Sequence, residues 1–139
     1  MQIVFDIGGT KMRLGSSRDG ETLEKTIVVE TPTDYETGID KFKQAVQALS
    51  NGEPIDVIAG GIAGPFSQKK SSLLTSPNLK SWIGKPFKAD LETTFNAPVH
   101  VENDSAIVGL GEAVRGAGKG RQVEIRSSEQ RLRVHFLFP

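Results

Sequence analysis

The apolar positions fall into short alternating or continuous runs near the N-terminus and into helical spacing further on. Gln2-Ile3-Val4-Phe5-Asp6 is a short β-rich run that stops at a carboxylate. Ile7-Gly8-Gly9-Thr10 reads as a turn. Lys11-Met12-Arg13-Leu14-Gly15 alternates polar and apolar residues, the period of a strand. Arg18-Asp19-Gly20-Glu21 contains an Asp-Gly hairpin signal, and residues 26–31 (Thr-Ile-Val-Val-Glu-Thr) predict a third strand. After Pro32-Thr33-Asp34 the period changes. Ile39, Phe42, Val46 and Leu49 recur at helical spacing with Ala45 beside them; Thr33 or Asp34 can cap the start and Asn51-Gly52 can end it.

Residues 55–59 form a compact apolar run after Pro54 and read as a buried parallel strand. The run gives way to Gly60-Gly61-Ile62-Ala63-Gly64-Pro65, expected to be a loop because of its glycines. Residues 66–85 look like an insertion, with Gln68-Lys69-Lys70 as a hairpin tip, Leu73-Leu74 as a returning strand and Ser76-Pro77-Asn78-Leu79 as turn chemistry. Pro86 suits the first turn of a helix carrying Phe87, Leu91 and Phe95. Residues 98–102 predict another strand, and Asn103-Asp104 opens a helix with Ala106, Ile107, Leu110 and Ala113. The expected order is therefore βββ-α-β-(insertion)-α-β-α, an α/β domain with no internal repeat.

Composition narrows the chemistry. With 139 residues the chain is one domain, long enough to bury roughly 65–70% of its unfolded surface. The 17 Lys and Arg balance 17 Asp and Glu, so the net charge gives no broad attraction to nucleic acid or to an acidic membrane. There is no cysteine, which excludes disulfides, Cys-ligated zinc and a Cys nucleophile. No apolar run approaches the ~20 residues of a membrane-spanning helix, and the first residues do not resemble a signal peptide. A cytoplasmic protein is expected. The last nineteen residues stand apart: up to Gly120 there are ten Lys and three Arg, and from Arg121 onward four Arg and no Lys.

Three constellations carry candidate chemistry. In Asp6-Ile7-Gly8-Gly9-Thr10-Lys11 a carboxylate ends a strand and two glycines follow, so that a phosphate can approach main-chain N–H groups while Asp6 holds Mg2+, usually through water. Taken alone, Gly-Gly-Thr is also what an ordinary glycine turn looks like. The segment is not a Walker loop, and Gly118-Lys119 lacks the flanking Gly and Ser/Thr of one. Glu102-Asn103-Asp104 sits between strand and helix. Asp104 could take a proton from an attacking alcohol, and Asn103 could bond hydroxyls, although either is also a favoured helix cap. Gly60-Gly61-Ile62-Ala63-Gly64-Pro65, with Asn78 following, could rest a polyhydroxy ligand on backbone or could simply be a tight turn. Trp82 reads more as a packing anchor than as a sugar-stacking ring. His100 is expected in the core or at a sheet edge, and two separated histidines make a poor transition-metal site.

Together these motifs resemble the N-terminal lobe of the ROK family (repressor, open reading frame, kinase). The carriers are Asp6-Ile7-Gly8-Gly9-Thr10-Lys11, Gly61-Ile62-Ala63-Gly64-Pro65, Pro77-Asn78-Leu79 with Trp82, Val101-Glu102-Asn103-Asp104 and Gly109-x-Gly111-Glu112. The resemblance implies a ribonuclease-H-like lobe of the actin-like ATPase superfamily and a sugar kinase that moves the γ-phosphoryl of ATP to a hexose hydroxyl. It implies Asp104 as catalytic base and Asp6 as the Mg2+-positioning carboxylate. Gly8, Gly9, Thr10 and Lys11 would form the phosphate loop, and Gly64, Asn78, Asn103 and Asp104 the sugar contacts. Glucose, fructose, mannose and N-acetylmannosamine all suit such a site.

The chain also departs from the family, whose members are about twice as long. Their second phosphate loop, Glu-x-Gly-His motif and Cys-rich zinc motif have no counterpart here. This divides the chain into a lobe at 1–120 and an atypical tail at 121–139, read as the product of a frameshift or truncation, with a stand-alone lobe as the rival. An exposed interlobe face would then favour homo-oligomers, and little catalysis is expected of the chain alone. Two alternatives are a non-catalytic sugar-binding lobe and a ROK-type transcriptional regulator. The regulator is disfavoured by the zero net charge and by the absence of room for a DNA-binding domain before Asp6.

Overall fold

A computed structural model describes residues 1–20, 22–67, 69 and 71–101, together with the backbone of 102–103, 124–126 and 131–133. Strands β1 (Gln2–Ile7), β2 (Lys11–Ser17) and β3 (Lys25–Glu30) form an antiparallel meander. Helix α1 (Tyr35–Ser50) returns the chain to β4 (Val57–Ile62), which pairs in parallel with β1. A two-rung hairpin follows, β5 (Phe66–Ser67) with β6 (Ser72–Leu73), then a 3-10 turn at Lys80–Trp82, helix α2 (Phe87–Phe95) and strand β7 (Val99–Asn103), parallel to β4. The main sheet runs β3-β2-β1-β4-β7. Two further strands, β8 (Glu124–Arg126) and β9 (Arg131–Arg133), pair with each other in the tail, where the sequence shows no strand period. The helix expected after Asp104 lies outside the described residues.

Local chemistry accounts for the boundaries. Asp34 rather than Thr33 caps α1, with its Oδ2 accepting the Thr37 N–H at 2.9 Å. That bond, reinforced by the Thr37 hydroxyl, holds the Asp34 carboxyl below its usual range. Asn51 and Asn96 take the left-handed conformation that ends α1 and α2. The β2–β3 connection is longer than the Asp-Gly signal predicts. Asp19 bends it by accepting from the Ser17 hydroxyl at 3.0 Å and from the Thr22 N–H at 2.8 Å.

Gly60 and Gly61 are strand residues, not the loop expected of them. Gly60 lies beside Phe5 in the parallel register, and a Cβ there would sit 2.0 Å from the Phe5 carbonyl oxygen. The missing side chain lets β4 pass close to a bulky neighbour, which is why glycine does not break the strand.

One face of the sheet, through Ile3, Phe5, Ile7, Met12, Leu14, Ile58 and Ile62, packs on the buried sides of α1 and α2. At its centre are edge-to-face aromatics: Phe5 with Phe42 at 5.3 Å and with Phe87 at 5.8 Å, and Tyr35 with Trp82 at 5.5 Å. Trp82 is 1% exposed and donates from its indole nitrogen to the Pro32 carbonyl at 3.1 Å. Its ring presses on Gly38, where a Cβ would fall 2.2 Å from Trp82 Cζ2. A glycine inside a helix costs up to about 1 kcal/mol relative to alanine, and here, in the first turn of α1, it makes room for the indole.

Candidate functional site

The register of the parallel strands assembles the site. Asp6, Gly61 and Glu102 stand side by side across β1, β4 and β7, and Ile7, Ile62 and Asn103 form the next row. The carboxyl ends of all three strands therefore open on one edge of the sheet, the edge where α/β sheets bind ligands. Asp6 is mostly shielded, with Arg13 of β2 opposite it and Arg13 Nη1 3.5 Å from Asp6 Oδ2.

The turn between β1 and β2 stands on this edge. Its Gly8 N–H donates to the Lys11 carbonyl at 2.9 Å, so Gly8 spends its amide inside the turn. Gly9 is flush against Asn78, for a Cβ at Gly9 would lie 2.7 Å from both Cβ and Nδ2 of Asn78. The expected phosphate loop and one expected sugar contact thus touch. Asn78 also borders an open cleft of about 540 Å³ shared with Thr33, Asp34, Lys80 and Ser81. Gly64 follows β4 with φ +116°, and a Cβ there would meet the Thr75 carbonyl oxygen at 2.3 Å, so both backbone angle and space require glycine.

The structure therefore brings together Asp6, Gly8, Gly9, Thr10 and Lys11 on one turn and sets Asn78 against it. It places the backbone of Asn103 two strands across from Ile7, one row beyond Asp6 in the ladder. Asp104 lies outside the described residues, as does the Gly109-x-Gly111-Glu112 segment. Trp82 is a packing residue. His100, half-buried in β7, is held below its ordinary pKa by burial and then by Lys88. Among the described residues no group of three or more His, Cys, Asp or Glu could hold a metal. None of their helices is long and apolar enough to cross a membrane.

Thr31, which no motif in the sequence singles out, also holds this turn. This residue is 8% exposed, and its Oγ1 donates to the Gly8 carbonyl at 2.8 Å while its N–H donates to the Thr10 carbonyl at 2.9 Å. The available signal was a hydroxyl residue closing a strand immediately before proline.

A three-strand meander continued by parallel strands, with helices crossing between them, is the lobe architecture of the actin-like ATPase fold. The ROK family profile matches residues 2–126, and the chain belongs to the ROK family. It is 34% identical over 122 residues to a glucokinase of Streptomyces coelicolor, covering 88% of this chain and 38% of that protein. An N-acetyl-D-glucosamine kinase of Vibrio parahaemolyticus is 33% identical over 111 residues, covering 78% of this chain and 36% of that protein. Among solved structures, a ROK glucokinase of Streptomyces griseus in complex with glucose and AMPPNP superimposes with a TM-score of 0.74 at 33% identity, over 88% of this chain and 39% of that one. The chain thus spans about two fifths of the length of these relatives.

Proposed function

We propose that the chain is the N-terminal lobe of an ATP-dependent hexose kinase. The supporting observation is the contact of Gly9 with Asn78 beside Asp6, a glycine turn next to a side-chain amide at the carboxyl edge of the sheet. In this reading a sugar hydroxyl oxygen attacks the γ-phosphorus, the bond to the ADP oxygen breaks, and the hydroxyl proton passes to the Asp104 carboxylate. Phosphoryl transfer depends mainly on positioning and charge, so the turn of Gly8, Gly9, Thr10 and Lys11 serves to place the nucleotide. Asp6 offers a single carboxylate at a strand end, which suits Mg2+ held largely by water and phosphate oxygens. Gly64, Asn78, Asn103 and Asp104 form the sugar side.

Relatives that act on glucose and on N-acetylglucosamine support the hexose class without choosing within it. In this reading the protein works in the cytoplasm. In the same reading residues 121–139 form an atypical tail to a lobe at 1–120, and the face toward a second lobe mediates homo-oligomers. Because the chain spans 38% of the glucokinase, we expect sugar binding with ADP release close to background. The alternative reading is a sugar-binding lobe without catalysis.

Calorimetric titration with glucose, N-acetylglucosamine, mannose and fructose, beside a coupled assay for ADP, tests both. Saturable binding of one hexose, weakened in Asn78→Ala, supports the sugar site. Sugar-dependent ADP release that disappears in Asp104→Asn shows a complete kinase, and no saturable binding of any of these sugars refutes the site.

A further inference from the structure

Thr31 belongs to a closed circuit of contacts around the glycine turn. Its hydroxyl holds the Gly8 carbonyl at 2.8 Å and its N–H holds the Thr10 carbonyl at 2.9 Å. The neighbouring Pro32 carbonyl accepts the Trp82 indole N–H at 3.1 Å. Trp82 in turn donates its backbone N–H to Leu79 at 3.0 Å, which ties down the segment that carries Asn78. Asn78 then rests on Gly9 and completes the circuit.

The peptide plane gives the first of these bonds a directional consequence. In a trans peptide the C=O of one residue and the N–H of the next point in opposite directions, and among the described residues no peptide is cis. Turning the Gly8 carbonyl into Thr31 therefore turns the Gly9 N–H away from Thr31. Among the described residues no hydrogen-bond acceptor takes up the Gly9 N–H.

We propose that Thr31 is a positioning residue for the nucleotide phosphates: its hydroxyl fixes the Gly8–Gly9 peptide so that the Gly9 N–H faces a phosphate oxygen. This rests on the kinase-lobe reading above. Thr31 touches no ligand itself. It acts by removing the rotation of one peptide plane, which would otherwise present a carbonyl oxygen to an anion.

The test uses the full chain, labelled with 15N and titrated separately with Mg2+·AMPPNP and with glucose. Thr31→Val keeps the shape and the backbone N–H but loses the hydroxyl, and Thr31→Ser restores the hydroxyl. In the wild type the Gly9 amide resonance should move with AMPPNP. Thr31→Val should weaken AMPPNP binding about tenfold, the usual scale for one hydrogen bond, and leave glucose affinity unchanged. Thr31→Ser should recover most of that loss. Equal AMPPNP affinity in wild type and Thr31→Val, or parallel loss of AMPPNP and glucose, overturns the proposal. So does failure of Thr31→Ser to rescue. A wild type that binds glucose but not AMPPNP refutes the role of Thr31 while sparing the sugar site, whereas a wild type that binds neither refutes the kinase-lobe reading as well.

Discussion

The aromatic layer beneath the helices and the polar turn at the sheet edge are held together in different ways. In the first, Phe5, Phe42, Phe87, Tyr35 and Trp82 are almost fully buried and meet edge to face. Its strength comes from area, on the order of 1.5–3 kcal/mol for each large side chain buried. In the second, the backbone is fixed by single hydrogen bonds, each worth about 1 kcal/mol net, and by the absence of side chains at Gly9 and Gly64. Glycine serves both regions, admitting the indole at Gly38 and the amide at Gly9. Stability and the proposed ligand geometry are thus stored apart, with Trp82 and Pro32 as the joint between them.

Breaking the aromatic layer should have the largest effect. Trp82→Ala removes the ring that Gly38 accommodates and should cost about 3–5 kcal/mol in urea denaturation. Because it also frees the Asn78 segment from Pro32, hexose affinity should fall with it. Loss of stability with unchanged sugar affinity would show that the two regions are not joined through Trp82.

Gly9→Ala probes the turn alone. The new methyl must displace Asn78, with an overpacking cost of about 1–3 kcal/mol. Hexose and AMPPNP binding should weaken together. Gly9→Ala combined with Asn78→Gly should recover part of the stability, so a double-mutant cycle should show coupling of about 1 kcal/mol. Strict additivity would mean that the two residues do not meet in solution.

The smallest effect concerns His100, which belongs to neither region. Burial lowers its pKa in the folded state, with Lys88 adding to the shift and Glu92 opposing it. The unfolded chain therefore takes up the proton first as pH falls below about 6.5. The stability that His100 contributes is full above that value and declines as pH drops through the folded pKa. The thermal midpoint should fall as pH drops below about 6.5, and His100→Gln should flatten that fall. An identical slope in the variant would remove His100 as its cause.

Much of this architecture is written in local patterns. The alternation of Met12 and Leu14 with polar neighbours, the helical spacing of Ile39, Phe42, Val46 and Leu49, and the Asp34 and Asn51 caps need only nearest-neighbour chemistry to be recognised. Gly60 and Gly61 look like a loop in the sequence because a strand glycine depends on what lies beside it, here Phe5 and Asp6 some fifty positions earlier in the chain. Of the candidate site, the turn and Asn78 stand out in the sequence as separate motifs. Their contact, and the hydroxyl of Thr31 that orients the turn, exist only once β3 and the segment after β6 are folded against it.

The place of β1 in the middle of the sheet has a consequence for the order of assembly. Gln2 meets Ser17 across a short hairpin, but it meets Val57 only after the whole of α1 has been made. Closing the longer loop costs more entropy, and contacts of such sequence separation slow folding. During synthesis the meander and its glycine turn can form as soon as β3 emerges. The apolar face of β1, with Ile3, Phe5 and Ile7, must then wait for β4, α1 and α2 to cover it. The nascent chain thus carries a formed meander on an unfinished sheet, and that interval is when its apolar face is most exposed to aggregation.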